Sequence, residues 1–143
     1  MASTGPPGVL VEGLGRAFYR LVGFIDADGE WGEDRDVPDN VEHVNMFVAT
    51  HKFRIGRRND AVTATWKTEE AVLIDNPKVS RHHADIELSP DGVTFRLVCL
   101  SKNGCDVNGV NLRANDSTPL SSGTRIRIGP LYVMFLLPRV GAY

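Results

Sequence analysis

Long apolar runs are missing from this 143-residue chain, and no stretch approaches the ~20 residues that a membrane-crossing helix needs. A skew of charge is missing too. Sixteen Lys and Arg stand against 18 Asp and Glu, for a net charge of −2. That balance excludes bulk attraction to nucleic acid or an anionic membrane and leaves room only for a local basic site. Cysteine is scarce, with only Cys99 and Cys105. A chain of this length with 42% hydrophobic residues can bury a core without a covalent staple, so two reduced thiols are expected. The C-x5-C spacing and the adjacent pair His82–His83 lack the paired ligand spacing of a structural zinc site. No metal and no cofactor are expected. The N-terminal M-A-S-T-G-P-P-G lacks the basic stretch and apolar run of a secretory signal. Together these absences point to one soluble, intracellular domain.

Helical periodicity is absent as well, and what stands in its place is a series of short apolar runs divided by turn residues. The first fifteen residues, rich in Gly, Pro and small side chains, read as a flexible leader (1–15) ahead of a domain at 16–143. A strand is expected over 17–24. The acidic stretch D-A-D-G-E-W-G-E-D-R-D-V-P-D-N (26–40) has little to bury and reads as a loop, part of an insertion at about 26–43. Strands follow at 45–50 and 52–57, with weaker candidates at 62–66 and 71–74. A-D-I-E-L (84–88) alternates, the S-P-D-G turn (89–92) follows, and V-T-F-R-L-V-C-L (93–100) alternates again with Val93, Phe95, Leu97 and Cys99 on one face. T-R-I-R-I-G (124–129) places Ile126 and Ile128 together, and 132–137 reads as a returning, more fully buried strand. Asn108-Gly109 suits the tip of a type I′ hairpin. Two packed antiparallel sheets are the simplest way to bury one face of every strand.

Three loop segments share a chemical theme. I-G-R-R (55–58) ends a strand with two guanidiniums. V-S-R-H-H-A (79–84) sets a hydroxyl, a guanidinium and two imidazoles before a strand. L-S-K-N-G-C-D-V-N-G-V (100–110) offers hydroxyl, ammonium and carboxamide groups in a turn. Cations and neutral donors with few competing carboxylates are what a phosphate dianion requires. Taken singly, each residue reads more blandly: Arg57 and Arg58 as solvated strand-end charges, Ser80 as a turn hydroxyl, Arg125 and Arg127 as an exposed strand face, Trp31 and Trp66 as packing residues.

In order, G-R, then S-R-x-H, then S-x-N-G followed by V-N-G resembles the signature of the forkhead-associated (FHA) domain over about residues 17–137. A weaker similarity, carried by A-F-Y-R-L and C-L-S-K-N-G-C-D-V-N-G-V, is to the FHA domains of forkhead-type transcription factors. The resemblance implies an all-β, two-sheet antiparallel β-sandwich of about eleven strands with binding loops at one end. It also implies a phosphothreonine-dependent protein–protein interaction module, not an enzyme. By position, Arg57 would bind phosphate, Ser80 would donate its hydroxyl to it, and Arg81 would contact phosphate or the peptide backbone. Asn103 would hold the peptide main chain. His83 would brace the loops, with His82 in the variable position, and Gly56 and Gly104 would permit backbone geometries that a side chain obstructs. Lys102 departs from the Ser or Thr common before the Asn; it either adds a cation near the phosphate or points to solvent. Cys105 stands where Thr is common and would reshape the loop slightly, and the long stretch between Arg57 and Ser80 bears on flanking-residue preference.

The implied partner is a phosphothreonine-containing protein, bound by a monomeric domain in the nucleus without direct contact to nucleic acid or membrane. The alternative is a phosphate-independent FHA-like scaffold. An enzyme using Ser80 and a histidine is disfavoured because no G-x-S-x-G elbow exposes a nucleophile. G-L-G (13–15) lacks the third glycine and the strand–helix setting of a nucleotide site, and no recognition helix for DNA is evident.

Overall fold

Extended backbone forms where side chains alternate between apolar and polar, because successive residues of a strand face opposite sides. The computed structural model describes residues 9–11, 15–26, 41–58, 66–67 and 70–138. Fourteen strands occur among them. In chain order they are β1 (Val9–Val11), β2 (Gly15–Ala17), β3 (Tyr19–Ile25), β4 (Glu42–Val48), β5 (Lys52–Arg57), β6 (Trp66–Lys67) and β7 (Ala71–Ile74). The second half adds β8 (Ala84–Leu88), β9 (Phe95–Cys99), β10 (Cys105–Val107), β11 (Val110–Leu112), β12 (Ser117–Pro119), β13 (Thr124–Ile128) and β14 (Leu131–Leu136). No helix is found among the described residues.

Two six-stranded sheets, ordered β11-β10-β13-β14-β3-β4 and β12-β9-β8-β5-β7-β6, form the all-β sandwich, and β1 and β2 make a separate ribbon. The sheets thus hold twelve strands where about eleven are expected from the sequence. One pairing departs from the antiparallel expectation: β5 runs parallel to β7, with Arg54 opposite Ala71 and Arg57 opposite Ile74. The 58–70 connection is long enough to carry the chain back for a same-direction pairing, which a tight hairpin cannot do.

Side chains from both inner faces meet in one core. Phe53, Ile55, Ile86 and Leu97 of one sheet and Leu21, Ile126, Leu131 and Phe135 of the other are almost fully buried. Each such side chain contributes about 1.5–3 kcal/mol through removal from water. Tyr19 bridges the layers, its ring 4.9 Å from Phe95 and 4.8 Å from Phe135.

Several expectations are corrected in detail. Within the 1–15 segment read as a flexible leader, β1 pairs with β2 from Val9 opposite Ala17 to Val11 opposite Gly15. β4 begins at Glu42, so Glu42 and His43 leave the acidic insertion read as 26–43 and extend the ladder opposite Ile25 and Phe24. The remainder of that insertion, 27–40, lies outside the described residues, as do Trp31 and 62–65 of the strand expected at 62–66. Val93 is 66% exposed; the Asp91 carboxylate accepts its N–H at 2.9 Å and keeps it in the turn before β9. The last strand is buried on one face only, its residues alternating between buried and half-buried. The Asn108-Gly109 tip connects Val107 to Val110, which face each other across β10 and β11. Its φ values of 51° and 83° are the left-handed pair that a type I′ turn needs.

Candidate functional site

β5 sets the first functional side chain by parity. Phe53 and Ile55 point into the core, and Arg57, two residues further, continues that face at the end of the strand, half-buried. Its backbone N–H donates to the Ser80 carbonyl at 2.9 Å, which anchors the 75–83 loop against the strand end. Asn76 shapes that loop: its carbonyl accepts the N–H of Val79 at 3.1 Å and its Oδ1 accepts the N–H of Lys78 at 2.9 Å, a turn that Asn side chains favour. Val79 is fully buried. Lys78 and Arg81 are exposed, and Ser80 between Val79 and Arg81 is half-buried.

His83 ties this loop to the next one. Its Nδ1 accepts the Ser80 N–H at 3.0 Å, and its Nε2 meets the Gly104 carbonyl at 2.7 Å. A ring that accepts at Nδ1 and donates at Nε2 is neutral. Burial disfavours the charged ring and lowers its pKa below 6.5, against a smaller opposing pull from the Gly104 carbonyl. The His83 carbonyl accepts N–H groups from Leu100 and Ser101 at 2.9 and 3.2 Å. One buried imidazole with its own backbone therefore holds both loops. His82, next to it, bonds instead to the buried Asp85 at 2.8 Å.

The 100–105 turn is joined to the 75–83 loop by side chains as well. Ser101 is buried at 3% exposure; its Oγ accepts the Asn103 N–H at 3.0 Å and lies 2.6 Å from the Ser80 Oγ. Exposed Asn103 reaches across to donate from Nδ2 to the Lys78 carbonyl at 3.2 Å. Two glycines are required by close approach. A Cβ at Gly56 would stand 2.1 Å from the Arg81 carbonyl oxygen. Gly104 has φ +82°, and a Cβ there would stand 2.9 Å from the Leu112 carbonyl oxygen. Cys105 is buried beneath the turn with its Sγ donating to Cys99 Sγ at 3.1 Å, and burial, reinforced by that contact, raises its pKa.

The residues singled out in the sequence thus converge on one end of the sandwich. Among the described residues, no hydrogen bond or ion pair occupies the guanidiniums of Arg57 and Arg81 or the ammonium of Lys102. No group of three or more His, Cys, Asp or Glu side chains suited to a metal occurs there either. Ser101 figures in the sequence only as the hydroxyl of the 100–110 turn and the serine of S-x-N-G, with no role of its own. Its position two residues before Asn103 is the spacing at which a hydroxyl accepts a backbone N–H in a turn.

Comparison with known proteins bears on this end of the molecule. The sequence pattern of the FHA domain matches residues 53–129, more than half of the chain, and takes in both loops. The chain belongs to the FHA domain family. It is similar to the transcriptional activator FHA1 of Nicotiana tabacum, 33% identical over 98 residues, which are 68% of this chain and 46% of that protein. It is also similar to the fork-head transcriptional regulator FHL1 of Candida albicans, 29% identical over 97 residues, or 68% of this chain and 8% of that protein. The chain spans less than half the length of these relatives. Among solved structures it resembles the MEK1 FHA domain with a TM-score of 0.55 at 17% identity, covering 85% of this chain and 91% of that one. Mycobacterium tuberculosis EmbR, solved in complex with a low affinity phosphopeptide, gives 0.56 at 22% identity, covering 93% and 28%. The MEK1 FHA domain with the HOP1 pThr318 peptide gives 0.52 at 18% identity, covering 86% and 99%. At these identities the likeness establishes the shared fold.

Proposed function

We propose that this chain is a phosphothreonine-dependent interaction module that docks an extended, phosphorylated peptide of a partner protein across its loop end. The observation that carries the reading is a set of uncommitted cations, Arg57, Arg81 and Lys102, on two loops whose hydroxyl and carboxamide groups, Ser80 and Asn103, are linked through Ser101. Arg57 and Ser80 bind the phosphate, Arg81 takes phosphate or the adjoining backbone, and Lys102 adds charge at the rim. Asn103 has its carboxamide nitrogen committed to Lys78 and offers its Oδ1 to a peptide N–H. Gly56, His83 and Gly104 hold the loops in this shape. Solved relatives in complex with a phosphopeptide or a pThr peptide support the assignment.

Phosphate brings roughly −1.5 to −2 charge near pH 7, and each charge-assisted hydrogen bond to it is worth about 1.5–3 kcal/mol. Three such bonds, less the cost of ordering a flexible peptide, give an affinity near ~1 μM, about −8 kcal/mol. Threonine exceeds serine by one buried methyl, about 0.8 kcal/mol. Binding rather than bond-making is the whole activity in this reading, and the domain acts as a monomer. Similarity to a fork-head transcriptional regulator and a transcriptional activator supports a nuclear setting. The test is a screen of an oriented phosphothreonine peptide library, with capture of cell proteins before and after phosphatase treatment. Enrichment of phosphothreonine peptides and loss of captured proteins after phosphatase are expected. Capture that survives phosphatase, with no library enrichment, would leave a phosphate-independent scaffold.

A further inference from the structure

Hydrogen accounting at the buried end of the Ser80–Ser101 pair gives that pair a direction. A serine hydroxyl has one hydrogen to give and two lone pairs to accept with. The Ser101 oxygen accepts the Asn103 N–H at 3.0 Å, and its own hydrogen still needs an acceptor. Ser101 is only 3% exposed, which keeps bulk solvent from serving as that acceptor. The neighbouring acceptor among the described residues is the Ser80 oxygen at 2.6 Å, a short contact for two neutral hydroxyls. The opposite polarity would leave a buried hydroxyl hydrogen of Ser101 unbonded, at a desolvation cost comparable to the loss of a hydrogen bond. It would also consume the Ser80 hydrogen inside the protein.

We propose that Ser101 is a positioning residue for phosphate recognition: it donates to Ser80 Oγ, fixes that oxygen's orientation and leaves the Ser80 hydrogen free to point outward. The inference rests on the phosphate-binding reading above. Ser101 does not touch the ligand; half-buried Ser80 does. Because Ser80 accepts one hydrogen bond while donating another, each bond polarises the next, and the outward donor is strengthened toward an anion. The Asn103 N–H occupies one Ser101 lone pair, and the burial of Ser101 with no other acceptor for its hydrogen sets the polarity of the chain Ser101 to Ser80 to phosphate oxygen.

The experiment is a double-mutant cycle on the full chain, with the tightest phosphothreonine peptide from an oriented library as probe. Calorimetric affinities are measured for wild type, Ser80→Ala, Ser101→Ala and the double variant, with thermal unfolding of each alongside. Loss of a charge-assisted bond makes each single variant bind about tenfold more weakly, and the double variant is expected to bind about as the Ser80→Ala single does. Ser101→Ala at wild-type affinity, or losses that multiply in the double variant, would overturn the role of Ser101. Ser101→Cys keeps the side-chain shape, slightly enlarged, with a weak donor, so it provides the same cycle if Ser101→Ala does not fold. Failure of wild type to enrich any phosphothreonine peptide is a separate outcome, and it would refute the phosphate-binding reading itself.

Discussion

At the loop end of the sandwich, two tiers of residues are built on opposite principles. The lower tier, Ser80, His83, Ser101 and Gly104, is buried or half-buried, and its polar groups bond one another at 2.6–3.0 Å. The upper tier, Arg57, Arg81 and Lys102, carries full charges that no partner among the described residues occupies. A buried polar group left without its partner costs free energy, so the lower tier fixes geometry and can change only at the expense of the fold. Arg81 and Lys102 are exposed and Arg57 is half-buried; charges with no internal partner cost little when deleted from the surface, so this tier is free to be selected for a ligand. Shape resides in one tier and charge in the other.

The contrast is tested most strongly by His83→Ala. That substitution leaves the Ser80 N–H and the Gly104 carbonyl without partners, at about 1–3 kcal/mol each. Chemical denaturation is expected to show a midpoint well below wild type, and an unchanged midpoint would dissolve the distinction between the tiers. Arg57→Ala comes next and acts the other way. Phosphopeptide affinity should fall by about tenfold or more through loss of one charge-assisted bond, while the thermal unfolding curve stays nearly in place. Equal affinity in variant and wild type would remove Arg57 from the site.

Acidification sharpens the comparison within the lower tier. The folded-state pKa of His83 lies below its ordinary value of 6.5 because burial disfavours the charged ring. As pH drops past 6.5 the unfolded chain takes up this proton first. His83's contribution to stability is therefore complete above that value and is lost as pH falls through the folded pKa. Urea titrations at a series of pH values should show this decline in wild type and lack this part of it in His83→Gln. Matching slopes in the two proteins would mean that another group is responsible. The smallest effect is expected from Lys102→Ala: a few-fold loss of affinity at low salt that shrinks at high salt, as for an exposed charge. A loss that ignores ionic strength would place the ammonium in a desolvated contact.

The fold was legible where alternation is strong. Ala84, Ile86 and Leu88 against Phe95, Leu97 and Cys99, and Ile126 with Ile128, announce β8, β9 and β13 because one face of each is buried. β12, Ser117–Pro119, was missed since an edge strand with two exposed residues carries no apolar pattern. β10 and β11 have three residues each, too short to show a period, although their Asn-Gly tip was evident. The parallel pairing of β5 with β7 lies in no local pattern, because strand partners are fixed by the packed whole. For the site, ordered motif spacing singled out Arg57, Ser80, His83 and Asn103. Ser101 entered only as the serine of S-x-N-G, because nothing in the sequence shows that its hydroxyl is buried against Ser80. Its burial and its contact with Ser80 of the 75–83 loop exist only in the folded chain.

In the proposed function, charge on a threonine is what this end of the molecule recognises. Calorimetric titration of wild type with one library-selected peptide, in phosphorylated and unphosphorylated form, tests it most directly. The phosphorylated form should bind near ~1 μM and the unphosphorylated form should give no measurable heat. Equal affinity for the two forms would contradict the account.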